Sequence, residues 1–204
     1  MNQSDKKFFF IGEHLCADFI NTQIGVNGQS VDLLENFHDL VVWLHQAQLL
    51  DDTHAQESLL SWDNTPAAAQ VLNAARQLRQ VIQAIITNHA AAKGVAQSTL
   101  DAINQLLAHD LGYHQLVPTQ KGIELHFHPA AHQAIHLLMP IVHAASDLVC
   151  KGGFSHIRKC ENPVCPLFFF DTSKNHTRRW CSMAICGNRM KATAFYQRHR
   201  KKKD

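Results

Sequence analysis

A chain of 204 residues with 46% hydrophobic and 18% charged side chains can bury an ordinary core, fits one domain or a main domain with a small appendage, and is not disordered by composition. Nine Gly and six Pro exclude collagen-like and low-complexity architectures. No apolar run approaches the ~20 residues of a membrane helix, and Phe8-Phe9-Phe10-Ile11 is too short for a signal-peptide core, so a soluble, cytoplasmic protein with no membrane partner is expected. The net charge of +2 hides a split. Residues 151–204 hold 13 Lys+Arg against 3 Asp+Glu, net +10, whereas residues 1–150 hold 6 against 14, net −8. An acidic body (1–150) joined to a basic module (151–204) is expected, and basic modules most often meet nucleic acid.

The body reads as mainly helical. Phe37, Leu40, Val41 and Leu44 recur at i, i+3, i+4, i+7, one face of an amphipathic helix. Thr65 as N-cap and Pro66 at the first helical position open a long helix with Val71, Leu72, Ala75, Leu78, Val81, Ile82, Ile85 and Ile86 along its stripe, stopped near Lys93-Gly94. Ser98 is the expected cap of a third helix carrying Leu100, Ile103, Leu106 and Leu107. Ile123, Leu125 and Phe127 alternate with Glu124, His126 and His128, the period of a half-buried strand. Residues 113–117 supply its hairpin partner, the one hairpin expected in the body. A helix over 131–150 follows, with Ile135, Leu138, Val142 and Val149 inward, a kink at Pro140, and an end at Gly152-Gly153. Cys16 and Cys150 read as small core residues.

Four of the six cysteines fall in the basic segment as Cys160-x4-Cys165-x15-Cys181-x4-Cys186. Two close pairs joined by a loop are how a chain builds a four-thiolate zinc site, and without a secretory signal, disulfides are the weaker reading. About fifty residues with few aliphatics need such a staple, because structural zinc supplies on the order of 10 kcal/mol. With all four thiols spent on one Zn2+ ion, no position is left for a reacting water, so the site is structural. Phe168-Phe169-Phe170 reads as a short strand, Ser173-Lys174-Asn175 as a turn, and Ser182 as the N-cap of a helix from about Met183. On that helix Arg189, Thr193, Tyr196 and Arg200 share one face and Lys191, Arg198 and Lys202 another. A basic helix of this kind suits a DNA major groove or a run of phosphates. Lys174, Arg178 and Arg179, in the preceding loop, are placed for phosphate contacts, and Lys201-Lys202-Lys203 reads as a frayed tail.

Fifteen histidines invite a metal-enzyme reading, with His126 and His128 on one strand face and His132, His136 and His143 in one helical sector. The segment His132-Gln133-Ala134-Ile135-His136 lacks the glutamate of a zincin helix, so solvated surface histidines are the better reading, and no catalytic residue is assigned. Asp18, Asn21, Arg76 and Arg79 are polar groups within amphipathic helices. They read first as surface or capping polarity, and otherwise as contacts to a small-molecule effector in a pocket between helices.

Trp180-Cys181-Ser182-Met183, Cys186-Gly187-Asn188-Arg189 and Lys191 resemble the signature of the CGNR zinc-finger family, and Cys160, Cys165, Phe169, Asp171 and Ser173 fall where that family has its first knuckle and strand. Leu15-Cys16-Ala17-Asp18-Phe19-Ile20-Asn21-Thr22 resembles the opening motif of the ABATE domain that accompanies this finger, with Ala17 where leucine is usual. The resemblance implies a bacterial, stress-induced transcription regulator in which a helical domain is joined to a zinc-dependent DNA-binding domain. The fold expected is mainly α: a helical N-terminal domain with one small β-hairpin, then a treble-clef-like zinc finger of short hairpin and helix. The expected partner is double-stranded DNA, with the body serving effector sensing or homodimerisation. A protein-interaction adaptor, an RNA-binding protein and a histidine-site metalloenzyme are the alternatives.

Overall fold

The computed structural model describes residues 8–90, 94–119, 122–130 and 132–200. Chain order is α1 (Leu15–Ile20), a β1–β2 hairpin (Gln23–Val26, Gln29–Asp32), α2 (Phe37–Gln46), α3 (Asp52–Trp62), α4 (Pro66–Ala90), α5 (Gln97–Leu107), a β3–β4 hairpin (Gly112–Thr119, Gly122–Pro129), α6 (Met139–Cys150), β5 (Ile157–Lys159), β6 (Phe168–Phe170) and α7 (Asn188–Arg200). The chain is mainly α, with three separate two-stranded antiparallel sheets and the zinc-finger module at its C-terminal end. No helix of the described residues is long and apolar enough to cross a membrane.

Helix α4 is the axis of the body, 25 residues and so about 37 Å long at 1.5 Å per residue. Thr65 caps it, its hydroxyl accepting from the Ala68 N–H (3.3 Å). Val71, Leu72, Ala75, Leu78, Ile82, Ile85 and Ile86 are buried along it, against α1, α2, α5 and the turn before α6. Helix α2 starts at a reciprocal cap between Asn36 and Asp39 and buries Phe37, Leu40, Val41 and Leu44 as its spacing predicts. Trp43 meets Phe19 of α1 with ring centroids 5.2 Å apart.

Several local expectations are corrected. Helix α5 begins at Gln97 behind Ala96, with no side-chain cap, so Ser98 lies inside its first turn. The segment 131–150 is not one kinked helix. A tight turn over Ala134–Leu138 leads into α6, whose first turn holds Pro140, where the missing N–H has no helical partner to lose. Residue 131 lies outside the described residues, as do Lys93 and 201–204. Cys150 is exposed while Cys16 is buried, because the last residue of α6 has turned off its apolar face. The body has two hairpins rather than one: Asn27 and Gly28, at φ 51° and 81°, form the tight turn between β1 and β2. The β3–β4 hairpin forms with Leu116 opposite Leu125, but β3 runs past the expected 113–117 and takes in Pro118 opposite Ile123, and that face is not buried. Leu116, Ile123 and Leu125 are 67%, 74% and 63% exposed. Helix α6 stops where Gly152 takes φ 66°.

Candidate metal centre and nucleic-acid interface

Two knuckles bring the four cysteines together. Cys160 follows β5, and its N–H donates to the Leu167 carbonyl across the first knuckle (2.9 Å). The Glu161 N–H donates to the Arg179 carbonyl (2.9 Å), which ties the first knuckle to the second. Ser182 caps the helical segment with its hydroxyl toward the Ile185 N–H. The Ser182 carbonyl accepts from both Cys186 (2.9 Å) and Gly187 (3.0 Å), a widened first turn that swings Cys186 inward before α7. All four sulfurs lie within 4.8 Å of one another, Cys165 to Cys181 at 3.7 Å and Cys181 to Cys186 at 3.8 Å. A tetrahedral thiolate site with metal–sulfur bonds near ~2.3 Å separates its sulfurs by about 3.8 Å; disulfide sulfurs stand about 2 Å apart. Burial raises the Cys165 and Cys181 thiols above their ordinary range, whereas at Cys186 burial is outweighed by the Asn162 amide and the neighbouring cysteines, which lower it.

The donors around the sulfurs were only partly visible in the sequence. Asn162, 2% exposed, turns the chain within the first knuckle, its Oδ1 taking the Val164 N–H (3.4 Å). It also donates from Nδ2 to Cys186 Sγ (3.3 Å), and the Cys181 N–H donates to Cys160 Sγ (3.5 Å). Such contacts orient ligands and disperse their charge. Gly187 fits under Met183 and Trp180, where a Cβ would stand 2.5 Å from the Met183 sulfur. Among the described residues this is the one cluster able to hold a metal. The described histidines do not assemble one: the His132 ring stacks on Trp62, His136 Nε2 meets the His109 carbonyl, and His143 pairs with Asp110, while the His126 side chain lies outside the described residues.

Comparison with family models places both halves. The model described as "Putative stress-induced transcription regulator", ABATE, matches residues 13–152, and the CGNR zinc-finger model matches 156–199. The chain belongs to the ABATE family. A search of curated proteins finds no match.

The opening motif of the ABATE region grips the CGNR finger. Asn21, 1% exposed, donates from Nδ2 to the Phe168 carbonyl (2.9 Å) and accepts the Phe168 N–H on Oδ1 (2.8 Å). One amide side chain thus pairs with the edge of β6 as a strand would. The Phe170 N–H donates to the Gly12 carbonyl (2.6 Å), and the His14 ring stacks on Phe170 at 5.1 Å. Asp18 holds Gly12 in place by accepting its N–H (2.7 Å). Burial pushes the Asp18 carboxyl up to about 6, against the pull of the Gly12 and Ile11 N–H groups. The approach demands glycine, since a Cβ on Gly12 would lie 2.7 Å from the Ala17 Cβ and 2.8 Å from Asp18 Oδ1.

Arg76 and Arg79 belong to a second bracing set inside the ABATE region. Arg76 donates to the Leu34 carbonyl (2.7 Å). Arg79 is 2% exposed and binds both oxygens of Asp32 and the Thr22 hydroxyl (2.8 Å). Asp18, Asn21, Arg76 and Arg79 are therefore engaged by the protein's own backbone and side chains.

The basic residues of the finger divide in the same way. Arg178 is turned inward: it donates to the Trp180 carbonyl (2.9 Å) and the Cys181 carbonyl, pairs with Glu13 of the body, and lies 4.7 Å over the Phe169 ring. The Thr172 hydroxyl, together with Arg178, holds the Glu13 carboxyl below its ordinary value. Arg179 is turned outward, over Trp180 at 4.9 Å and paired with Glu161. Lys174, Arg189 and Lys191 are exposed. The loop that carries Lys174 is organised by the fully buried Asp171, which accepts the Ser173 N–H (3.0 Å) and the Arg178 N–H (2.9 Å). Every residue from Lys191 to Gln197 is exposed. Arg198 and Arg200 lie on α7, and their side chains lie outside the described residues.

Proposed function

We propose that this protein is a cytoplasmic bacterial transcription regulator that binds double-stranded DNA through its C-terminal finger. One structural Zn2+, held by Cys160, Cys165, Cys181 and Cys186, fixes the two knuckles and the start of α7. The observation that carries the reading is the exposure of Lys174, Arg189 and Lys191 on the segments flanking the cysteine cluster, in a module whose net charge is +10. Lys174 and Arg179 serve phosphates from the loop. Arg189, Lys191, Arg198 and Arg200 serve phosphates or base edges from the helix, and Arg178 holds the loop to the body. The mechanism is binding rather than turnover: the cations neutralise phosphates and release counterions. The ABATE region supplies regulation by a small-molecule effector, and the exposed face of β3–β4 at Leu116, Ile123 and Leu125 suits a second copy in a homodimer.

The test is anisotropy of a labelled duplex with the Arg189→Ala/Lys191→Ala variant across a salt series. Each phosphate contact contributes roughly 0.9 to the slope of log K against log salt, so the slope is expected to fall by about two in magnitude. An unchanged slope and affinity would remove Arg189 and Lys191 from the interface. Tyr196, 71% exposed on α7, favours single-stranded RNA as the second reading, by base stacking. An RNA probe in the same titration decides between them.

A further inference from the structure

An apolar recess of the body lies along α4, away from the finger. Its floor is one face of that helix, where Val71 and Leu78 are buried and Ala67 and Ala74 are half-buried. Ala102 and Leu106 of α5 form one wall, and Trp62 with the 132–135 segment forms the other, enclosing about 610 Å³. That is the size of a site for a small organic molecule. The volume exists because alanines occur at 67, 74, 102 and 134, where a leucine would fill it.

Its chemistry is selective. None of the lining residues is Asp, Glu, Lys or Arg, and the titratable groups among them are His109 and His132, so an ionised ligand would lose hydration with no permanent countercharge to replace it. The polar groups sit at the rim. Gln70 and Gln77, two turns apart on α4, line it together with Gln105 and Gln133, all four exposed, and each amide both donates and accepts. The His132 ring stacks on Trp62 with centroids 4.6 Å apart and planes 28° apart, a flat aromatic surface at one end. An apolar floor, an aromatic face and an amide rim without charge describe a receptor for an uncharged planar ring system bearing hydrogen-bonding edges.

We infer that this trough is the effector site of the body and that its ligand is a neutral aromatic or heteroaromatic molecule. The inference rests on the regulatory reading above and gives it a location distinct from Asp18, Asn21, Arg76 and Arg79. It also supplies a route to the finger. Leu78 floors the trough, and the next residue, Arg79, grips Thr22, the neighbour of the Asn21 that pairs with β6. A ligand that shifts α4 therefore acts on the helix that anchors the latch.

The experiment uses the full chain and two fluorescent probes of similar ring size, uncharged N-phenyl-1-naphthylamine and anionic 1-anilinonaphthalene-8-sulfonate. The neutral probe is expected to saturate at one per chain and to bind at least tenfold more tightly than the sulfonate. Ala74→Leu and Ala102→Leu, which fill the trough, are expected to weaken it at least tenfold without lowering the melting temperature. The Gln77→Glu variant, the same size at an exposed rim position, weakens it as well and guards against misfolding of the other two. Equal binding of the two probes, no saturable binding, or binding unchanged in all three variants would overturn the site. Duplex binding is measured separately on the same samples. A wild-type chain that binds duplex but shows no saturable binding of the neutral probe refutes the trough alone, and one that binds the probe but no duplex refutes the regulator reading alone.

Discussion

Replacing Cys181 with serine, or stripping the metal with a chelator, is expected to unfold the finger while leaving the helical body folded. The finger's own apolar cluster consists of Phe169 and three of the cysteines, with Ile11, Cys165 and Trp180 packed at its edge. So small a core cannot offset the ordering of more than forty residues. Binding of structural zinc contributes on the order of 10 kcal/mol, so the metal is the main source of the finger's stability. The body's core lies around α4 and α2, with the finger contributing Ile157 to it and Phe168 and Phe170 packed against it. Limited proteolysis with trypsin reads the difference: wild-type protein is protected at Arg158 and Arg178, which sit in β5 and in the inward-turned brace, and the variant is cut at both. Equal protection in the variant would mean that packing rather than metal holds the finger.

Arg79→Ala is the second large effect, and it falls entirely within the body. The guanidinium is buried, bridging Asp32 and Thr22 across the β1–β2 hairpin and the end of α1. Burial works against the Asp32 charge, but Arg79 and the Leu34 N–H outweigh it, so the carboxyl lies below its ordinary value. Removing the cation leaves that partly buried carboxylate with only Arg76 (3.4 Å) and the Leu34 N–H (3.0 Å) as partners, a loss of about 3 kcal/mol for a pair in this setting. For a chain of this length that corresponds to a fall in melting temperature of roughly 6–12 °C. The sign in pH follows. A depressed carboxylate contributes stability above its unfolded value of 3.8 and loses it as pH falls toward the folded value. The deficit of the variant is therefore expected to be full at pH 7 and to shrink in acid. Calorimetry of both proteins at pH 7 and pH 3 measures it, and a deficit that does not shrink in acid would mean that lost packing rather than charge is responsible.

The elements with strong local chemistry were legible in the sequence, and those made by distant partners were not. The cysteine spacing led to the cluster, Thr65-Pro66 to the start of α4, and Ser182 to the cap before α7. Helix α3 escaped because it has no apolar stripe; Ser58 is the one buried residue it carries. The β1–β2 hairpin could have been found, since Asn27-Gly28 is the dipeptide that favours its turn. Pro140 carried an ambiguous signal, because proline kinks a helix interior and opens a helix start with equal ease.

At the site itself, the role of Asn21 depends on Phe168, 147 residues away, and no local pattern encodes such a pair. Arg178 and Arg179 are indistinguishable as residue types. The extended segment turns one inward and the other outward, which period-two alternation allows but does not assign to either residue.

The most direct measurement is duplex binding by the full chain, with and without chelator, followed by anisotropy from low to moderate salt. Binding that weakens steeply with salt and disappears on metal removal is the expected result, because the cations act from a finger that the metal holds in shape. Binding that survives metal removal with the same slope would contradict it, since the basic residues would then act as a polycation with no need of the fold.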